Sequence, residues 1–199
     1  IDKDPAAGTP SLVQATHLGV TYTTVVQPNQ PKQGVQVAVY EVSDKRDAVG
    51  IDRHGVLFQP EEKRLLVQEF VFVDNKGNTT YNDAKNGTYQ FFVPGGVPID
   101  IQVTAPGSRA VKRPAEKAGP ANTYKITFPM RPGQTQIEMT YEYPATNPLT
   151  FSGNILHKDG ETRLIVPRGL KLEGEGLEAF APEPQTQSPI YGVKAGPYT

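Results

Sequence analysis

Asn122-Thr123-Tyr124-Lys125-Ile126-Thr127-Phe128, then Pro129-Met130-Arg131-Pro132-Gly133, then Gln134-Thr135-Gln136-Ile137-Glu138-Met139-Thr140-Tyr141-Glu142-Tyr143 is the stretch that decides the fold. Tyr124, Ile126 and Phe128 alternate with Thr123, Lys125 and Thr127, and Ile137, Met139 and Tyr141 alternate with Gln136, Glu138 and Thr140. Period two over that length is the signature of strands with one apolar and one wet face. Pro132 removes a ladder donor and Gly133 tolerates positive φ, so the chain must turn between the runs. The expectation is a hairpin over residues 122–143 that covers a core.

Upstream, the same pattern recurs. Val35, Val37 and Val39 alternate with Gln36 and Ala38 and predict a first strand of the main domain. Strands follow at 51–58 and 64–73, the second with apolar residues on both faces and therefore central. Residues 88–93 and 97–103 flank the Pro94-Gly95-Gly96 turn, and a basic loop with Arg109, Lys112, Arg113 and Lys117 leads into the hairpin. About seven strands over 33–145 suit a jelly-roll or immunoglobulin-like β-sandwich. Residues 1–32 read as an N-terminal arm carrying strand-like 12–26. Residues 146–199, with about five short strands, read as a second, incomplete immunoglobulin-like sandwich, too small to bury a good core alone.

The bulk composition agrees with an all-β chain. Nineteen Pro and nineteen Gly in 199 residues punctuate many short strands, and no stretch keeps helical periodicity. Twenty Lys and Arg against 21 Asp and Glu leave a net charge of -1, with no massed basic surface for nucleic acid. No apolar run reaches the roughly 20 residues that span a bilayer as a helix. The absence of cysteine excludes disulfides, thiol catalysis and cysteine-ligated metal. The chain begins at Ile1 rather than Met, which points to processing or truncation.

Catalytic and cofactor patterns are hard to find. His17, His54 and His157 are the three histidines, and none has a second ligand at metal-binding spacing, so a histidine–carboxylate site would need long-range assembly. No serine sits in a Gly-x-Ser-x-Gly elbow, and no glycine pair precedes a helix as a phosphate cradle requires. Asp74-Asn75-Lys76-Gly77-Asn78 reads as a capped turn, since Lys76 occupies a ligand position of a calcium loop and no terminal Glu follows. Tyr81, Tyr89, Tyr124, Tyr141, Tyr143 and Tyr191 could form a sugar-stacking platform, but most fall on inward positions. Asn78 and Asn86 open two acceptor sequons and are candidate glycosylation sites. No enzyme, cofactor or metal is expected.

Thr16-His17-x-Gly19-Val20-x-Tyr22, Val35-x-Val37-x-Val39-Tyr40, Phe91-Phe92-Val93-Pro94 and Phe128-Pro129-Met130-Arg131-Pro132-Gly133-Gln134-Thr135 with Tyr141 resemble exported bacterial β proteins with carboxypeptidase-regulatory-like and immunoglobulin-like domains. The resemblance implies an extracellular or cell-surface location and no known catalysis. Two functions follow as expectations. One is a structural subunit of an extracellular filament, copies joined head to tail by strand addition. Leu12, Val13, Val20, Tyr22 and Val25 then mark the candidate donor strand, and the region after Leu149 the acceptor. The other is a carbohydrate-binding or spacer module of an exported multidomain protein.

Overall fold

The computed structural model describes residues 8–199; the start of the expected arm, residues 1–7, lies outside them. Seventeen strands and one 3-10 turn, Pro94–Gly96, make up the described chain, with no α-helix. In order they are β1 (Ser11–His17), β2 (Val20–Val26), β3 (Val42–Ser43), β4 (Val49–Pro60), β5 (Arg64–Asn75), β6 (Thr80–Tyr81), β7 (Tyr89–Phe92), β8 (Ile99–Thr104) and β9 (Val111–Lys112). Then come β10 (Glu116–Lys117), β11 (Thr123–Ile126), β12 (Gly133–Pro144), β13 (Gly153–Ile155), β14 (Glu161–Ile165), β15 (Glu178–Ala179), β16 (Ile190–Val193) and β17 (Gly196–Tyr198).

The result is an all-β sandwich with unequal sheets. Eight strands run in the order β15-β16-β14-β4-β5-β12-β8-β9, and three in the order β10-β11-β7. Val67, Val71, Ile137 and Met139 from the large sheet meet Tyr89, Phe91 and Ile126 from the small one in a single apolar core. The alternation that predicts β12 holds, with Thr135, Ile137, Met139 and Tyr141 buried while their neighbours are not; in β5, apolar on both faces, Leu65, Val67, Val71 and Val73 are the buried set. β5 is central, paired to β4 on one side and β12 on the other.

The hairpin expected over 122–143 does not form. β11 pairs with β7 and β10 in the small sheet, whereas β12 pairs with β5 and β8 in the large one. Alternation reports which side chains point inward, and both runs do point inward. They do so from opposite walls of the core, with Phe128 and Met130 buried on the way across. The Met130 backbone bridges Tyr81 in both directions, at 2.9 and 3.0 Å, which anchors the crossing. The Pro94-Gly95-Gly96 turn likewise carries the chain between sheets, from β7 to β8.

The separate second sandwich expected at 146–199 is also replaced. β14 lies parallel to β4 and antiparallel to β16, so these strands extend the large sheet. Ile155, Leu164, Val166 and Tyr198 enter the common core. A segment too short to bury its own apolar side chains completes its burial on the edge of a sheet already present. The last residues form β17 and pair with β13; Gly153 is required there because a Cβ would collide with the Tyr198 ring.

At the N-terminal side, β1 and β2 form a hairpin around Leu18 and Gly19, both at positive φ, the turn that matches strand twist. Val35, Val37 and Val39, expected to begin the main sandwich, belong to no strand; the segment has no ladder partner among the described residues.

Candidate functional site

The expected donor residues divide. Val20 and Tyr22 are buried in their own chain, and the Tyr22 hydroxyl donates to the Tyr40 carbonyl at 2.9 Å while lying 2.9 Å from the Thr80 hydroxyl. Val25 is half-buried on the same strand. Leu12 is 60% exposed, and among the described residues β1 has no strand on its outer edge. The hairpin is therefore held to its own chain through β2, and what it offers outward is the edge of β1.

Beside it runs the unpaired segment 34–40. The Gln36 carbonyl accepts from the Thr24 hydroxyl at 3.4 Å and the Tyr40 carbonyl from Tyr22, but no backbone ladder forms with any described residue. Val39 remains 44% exposed.

Of the two sequons, Asn78 is exposed in the turn after β5. Asn86 is exposed too, and its side-chain amide donates to Asp83 at 2.8 Å. Its sequon hydroxyl, Thr88, is buried between the Ile126 carbonyl and the Phe128 amide. The 74–78 segment is a capped turn: Asn75 accepts from the Gly77 amide at 3.0 Å and donates to the Thr79 and Met130 carbonyls. Gly77 does not take positive φ; it is needed because a Cβ would press on that of Ala48. Of the tyrosines, Tyr81, Tyr89 and Tyr141 are buried, so they form no platform.

The densest polar chemistry lies inside the fold, where sequence spacing does not reveal it. His54 Nδ1 is 3.0 Å from His157 Nε2, and His54 Nε2 is 3.0 Å from Glu69 Oε2. Glu69 Oε1 accepts from the Tyr141 hydroxyl at 2.6 Å, and His157 Nδ1 is 2.7 Å from the Asp159 carbonyl. All four side chains are buried: His54 is 3% exposed, Glu69 7%, His157 9% and Tyr141 3%. Burial pushes the Tyr141 hydroxyl well above its ordinary value, and Glu69 adds to this. Burial lowers His157 below its ordinary 6.5, with the neighbouring His54 second in effect.

Three strands and one loop assemble this chain. A bulge between Ile51 and Arg53 shifts the phase of β4, so Val49 and Ile51 face inward before it and His54, Val56 and Phe58 after it. Glu69 sits between Val67 and Val71 on the core face of β5, and Tyr141 on that of β12. His157 arrives on the loop between β13 and β14. That loop is pinned by the Asp159 carboxylate, which accepts from the Ile51 amide at 2.6 Å and from Arg46 at 3.1 Å. Gly160, at φ +74, lies so close to the Ile51 carbonyl that a Cβ would meet it at 2.5 Å. Two signals could have found the site: a carboxylate in phase with Val67 and Val71, and a histidine in phase with Val56 and Phe58. The third histidine, His17, lies on the surface 3.3 Å from Glu41.

Only about 10 Å³ of space remains beside these groups, room for a single water at most. Among the described residues no three His, Asp or Glu side chains are placed to hold a metal. A larger, mostly apolar groove of about 520 Å³ runs between Phe58, Leu65 and Leu164 and the exposed Leu149 and Leu170, with Lys171 and Glu173 also on its lining.

No family model matches the chain, and no curated protein matches it. Among solved structures, it is similar to the structure of yeast LTA4 hydrolase in complex with Bestatin, at 9% identity and a TM-score of 0.43. The similarity covers 85% of this chain and 31% of that one, so the chain spans about a third of that protein's length.

Proposed function

We propose that this chain is a non-catalytic β module of an exported bacterial surface or filament protein, joined head to tail to copies of itself by strand addition. Residues 34–40 carry the reading. Val35-x-Val37-x-Val39 has the alternation of a strand and no ladder among the described residues. Unpaired backbone groups along such a segment are a template for a strand from another chain. β1 offers an edge of the same length, seven residues, with Leu12 exposed and Val13 half-buried. Pairing β1 of one copy with 34–40 of the next uses two different surfaces. Such a heterologous contact builds a filament wherever its rotation does not close into a ring. In this reading the acceptor is 34–40 rather than the region after Leu149, whose strands are already paired in their own chain.

Light scattering and electron microscopy at rising concentration are expected to find linear polymers. Val37→Pro removes a backbone donor from the acceptor segment and is expected to abolish them while leaving the circular dichroism spectrum unchanged. A wild-type protein that stays monomeric at every concentration overturns the reading.

A carbohydrate-binding role is favoured by a different face. Phe70 projects from the outer side of β5 beside Gly55 of β4, where the space a Cβ would fill is open, and opposite Glu138 of β12. Gln68, Gln102 and Gln136 lie on the same face and could bond sugar hydroxyls. Binding on a glycan array that Phe70→Ala abolishes would support this role in place of assembly. Exported glycoprotein character at Asn78 and Asn86 belongs to the same proposal.

A further inference from the structure

We propose that His54, Glu69 and His157 form a proton-keyed latch: with one shared excess proton the chain of hydrogen bonds closes and holds the 156–160 loop to β4, and gain or loss of a proton opens it.

The proton count follows from donors and acceptors alone. The Asp159 carbonyl can only accept, so His157 Nδ1 carries a hydrogen. Glu69 Oε1 accepts from Tyr141, which leaves Oε2 for His54. Two contacts of 3.0 Å remain, His157 Nε2 to His54 Nδ1 and His54 Nε2 to Glu69 Oε2. Each needs one hydrogen between its atoms. Two neutral imidazoles and a carboxylate supply one bridging hydrogen in all, so the closed chain holds one proton more, and its net charge is zero. With a further proton, two N–H groups oppose each other across one contact. With one fewer, two lone pairs do. Either way one of the two buried contacts along the chain loses its hydrogen bond.

The surroundings keep this count. Tyr141 from β12, Tyr89 from β7 and Tyr198 from β17 face the chain, all raised above their ordinary values, chiefly by burial, and so stay neutral. Arg46, from the loop before β4, is paired to Asp159. Thr162 from β14 places its hydroxyl 3.4 Å from His54 Nδ1. Burial lowers the proton affinity of His157, in keeping with its Nε2 accepting from His54 Nδ1 across the 3.0 Å contact.

The sign of the pH dependence is set by the open state, where solvent surrounds both rings and an ordinary histidine side chain takes up its proton near 6.5. Below that value the open state binds two protons and the closed latch one, so closure weakens as pH falls. This agrees with His157, whose depressed value makes its contribution present above 6.5 and lost as pH falls. Above 6.5 the open state binds none, and closure weakens as pH rises. Each limb changes the opening equilibrium up to about tenfold per pH unit.

Hydrogen exchange of backbone amides in 153–165, corrected for intrinsic rates and set against β5 and β12, tests this from pH 5 to 8. Wild type is expected to show greatest protection near pH 6.5. Glu69→Gln supplies the bridging hydrogen from its own amide, so the alkaline limb should vanish and the acid limb steepen toward a hundredfold per unit. His157→Gln keeps an acceptor for His54 Nδ1, so the acid limb should vanish. A flat wild-type profile, or the same profile in both variants, overturns the latch. Nitrogen-15 spectra of the wild-type histidines give a check that needs no variant. A hydrogen on His157 Nδ1 is expected, and its absence there overturns the proposal.

Discussion

Thr135 shows at the level of a single residue what this core tolerates. Its side chain is fully buried on β12, in phase with Ile137 and Met139, and its hydroxyl has no hydrogen-bond partner among the described residues. A buried unpaired hydroxyl costs about 1–3 kcal/mol, whereas a methyl of the same shape costs nothing to desolvate. Thr135→Val is therefore expected to raise the stability by about 1 kcal/mol in urea denaturation; a loss of stability would show that the hydroxyl has a partner. Glu69 is the contrary case. It is buried on the adjacent strand, but both of its oxygens are used, one by Tyr141 and one by His54. Buried polar groups in one core are thus either integrated or expendable, and only their partners distinguish them.

Elements acquire their roles through similar local decisions. The β1–β2 hairpin is tethered through β2 by Val20, Val26 and above all Tyr22, whose hydroxyl satisfies the Tyr40 carbonyl and meets Thr80. Tyr22→Phe keeps the ring and removes both bonds. It is expected to cost about 1–2 kcal/mol and to speed proteolysis within residues 27–41, with β5 and β12 unaffected. Unchanged cleavage there would mean that packing alone holds the hairpin. The bulge in β4 acts at the same scale. One extra residue re-phases the strand, and without it His54 would face the outer side of the sheet, away from Glu69 and His157.

For the whole molecule the decisive fact is the continuous large sheet. β14 covers the edge of β4, and Leu164, Val166, Ile155 and Tyr198 pack into the same core as Ile137 and Phe91. A fragment ending at residue 145 would expose the edge of a twelve-residue strand together with the apolar surface beneath it. That fragment is expected to be insoluble or to lose cooperative thermal unfolding, while residues 1–199 unfold in one transition by calorimetry. A fragment that melts at the full chain's temperature would restore the two-domain reading.

What the sequence by itself determined was the class of structure and the inward face of β12. Ile137 and Met139 are where alternation puts them, because period two is a property of the strand backbone and needs no partner, whereas β5 is apolar on both faces and alternation left its inward face open. Alternation is silent about which strand lies alongside. The two runs at 122–143 were legible as strands, yet they face each other across the core instead of pairing. The short strands after residue 146 were legible too, but not their place in a shared sheet. Val35, Val37 and Val39 have the pattern of a strand without acquiring a neighbour. Only the tertiary structure decided these pairings, since each depends on hydrogen bonds between distant segments. The same holds for the His54–Glu69–His157 chain, whose histidines stand 103 residues apart and meet only because the 156–160 loop docks on the bulge of β4.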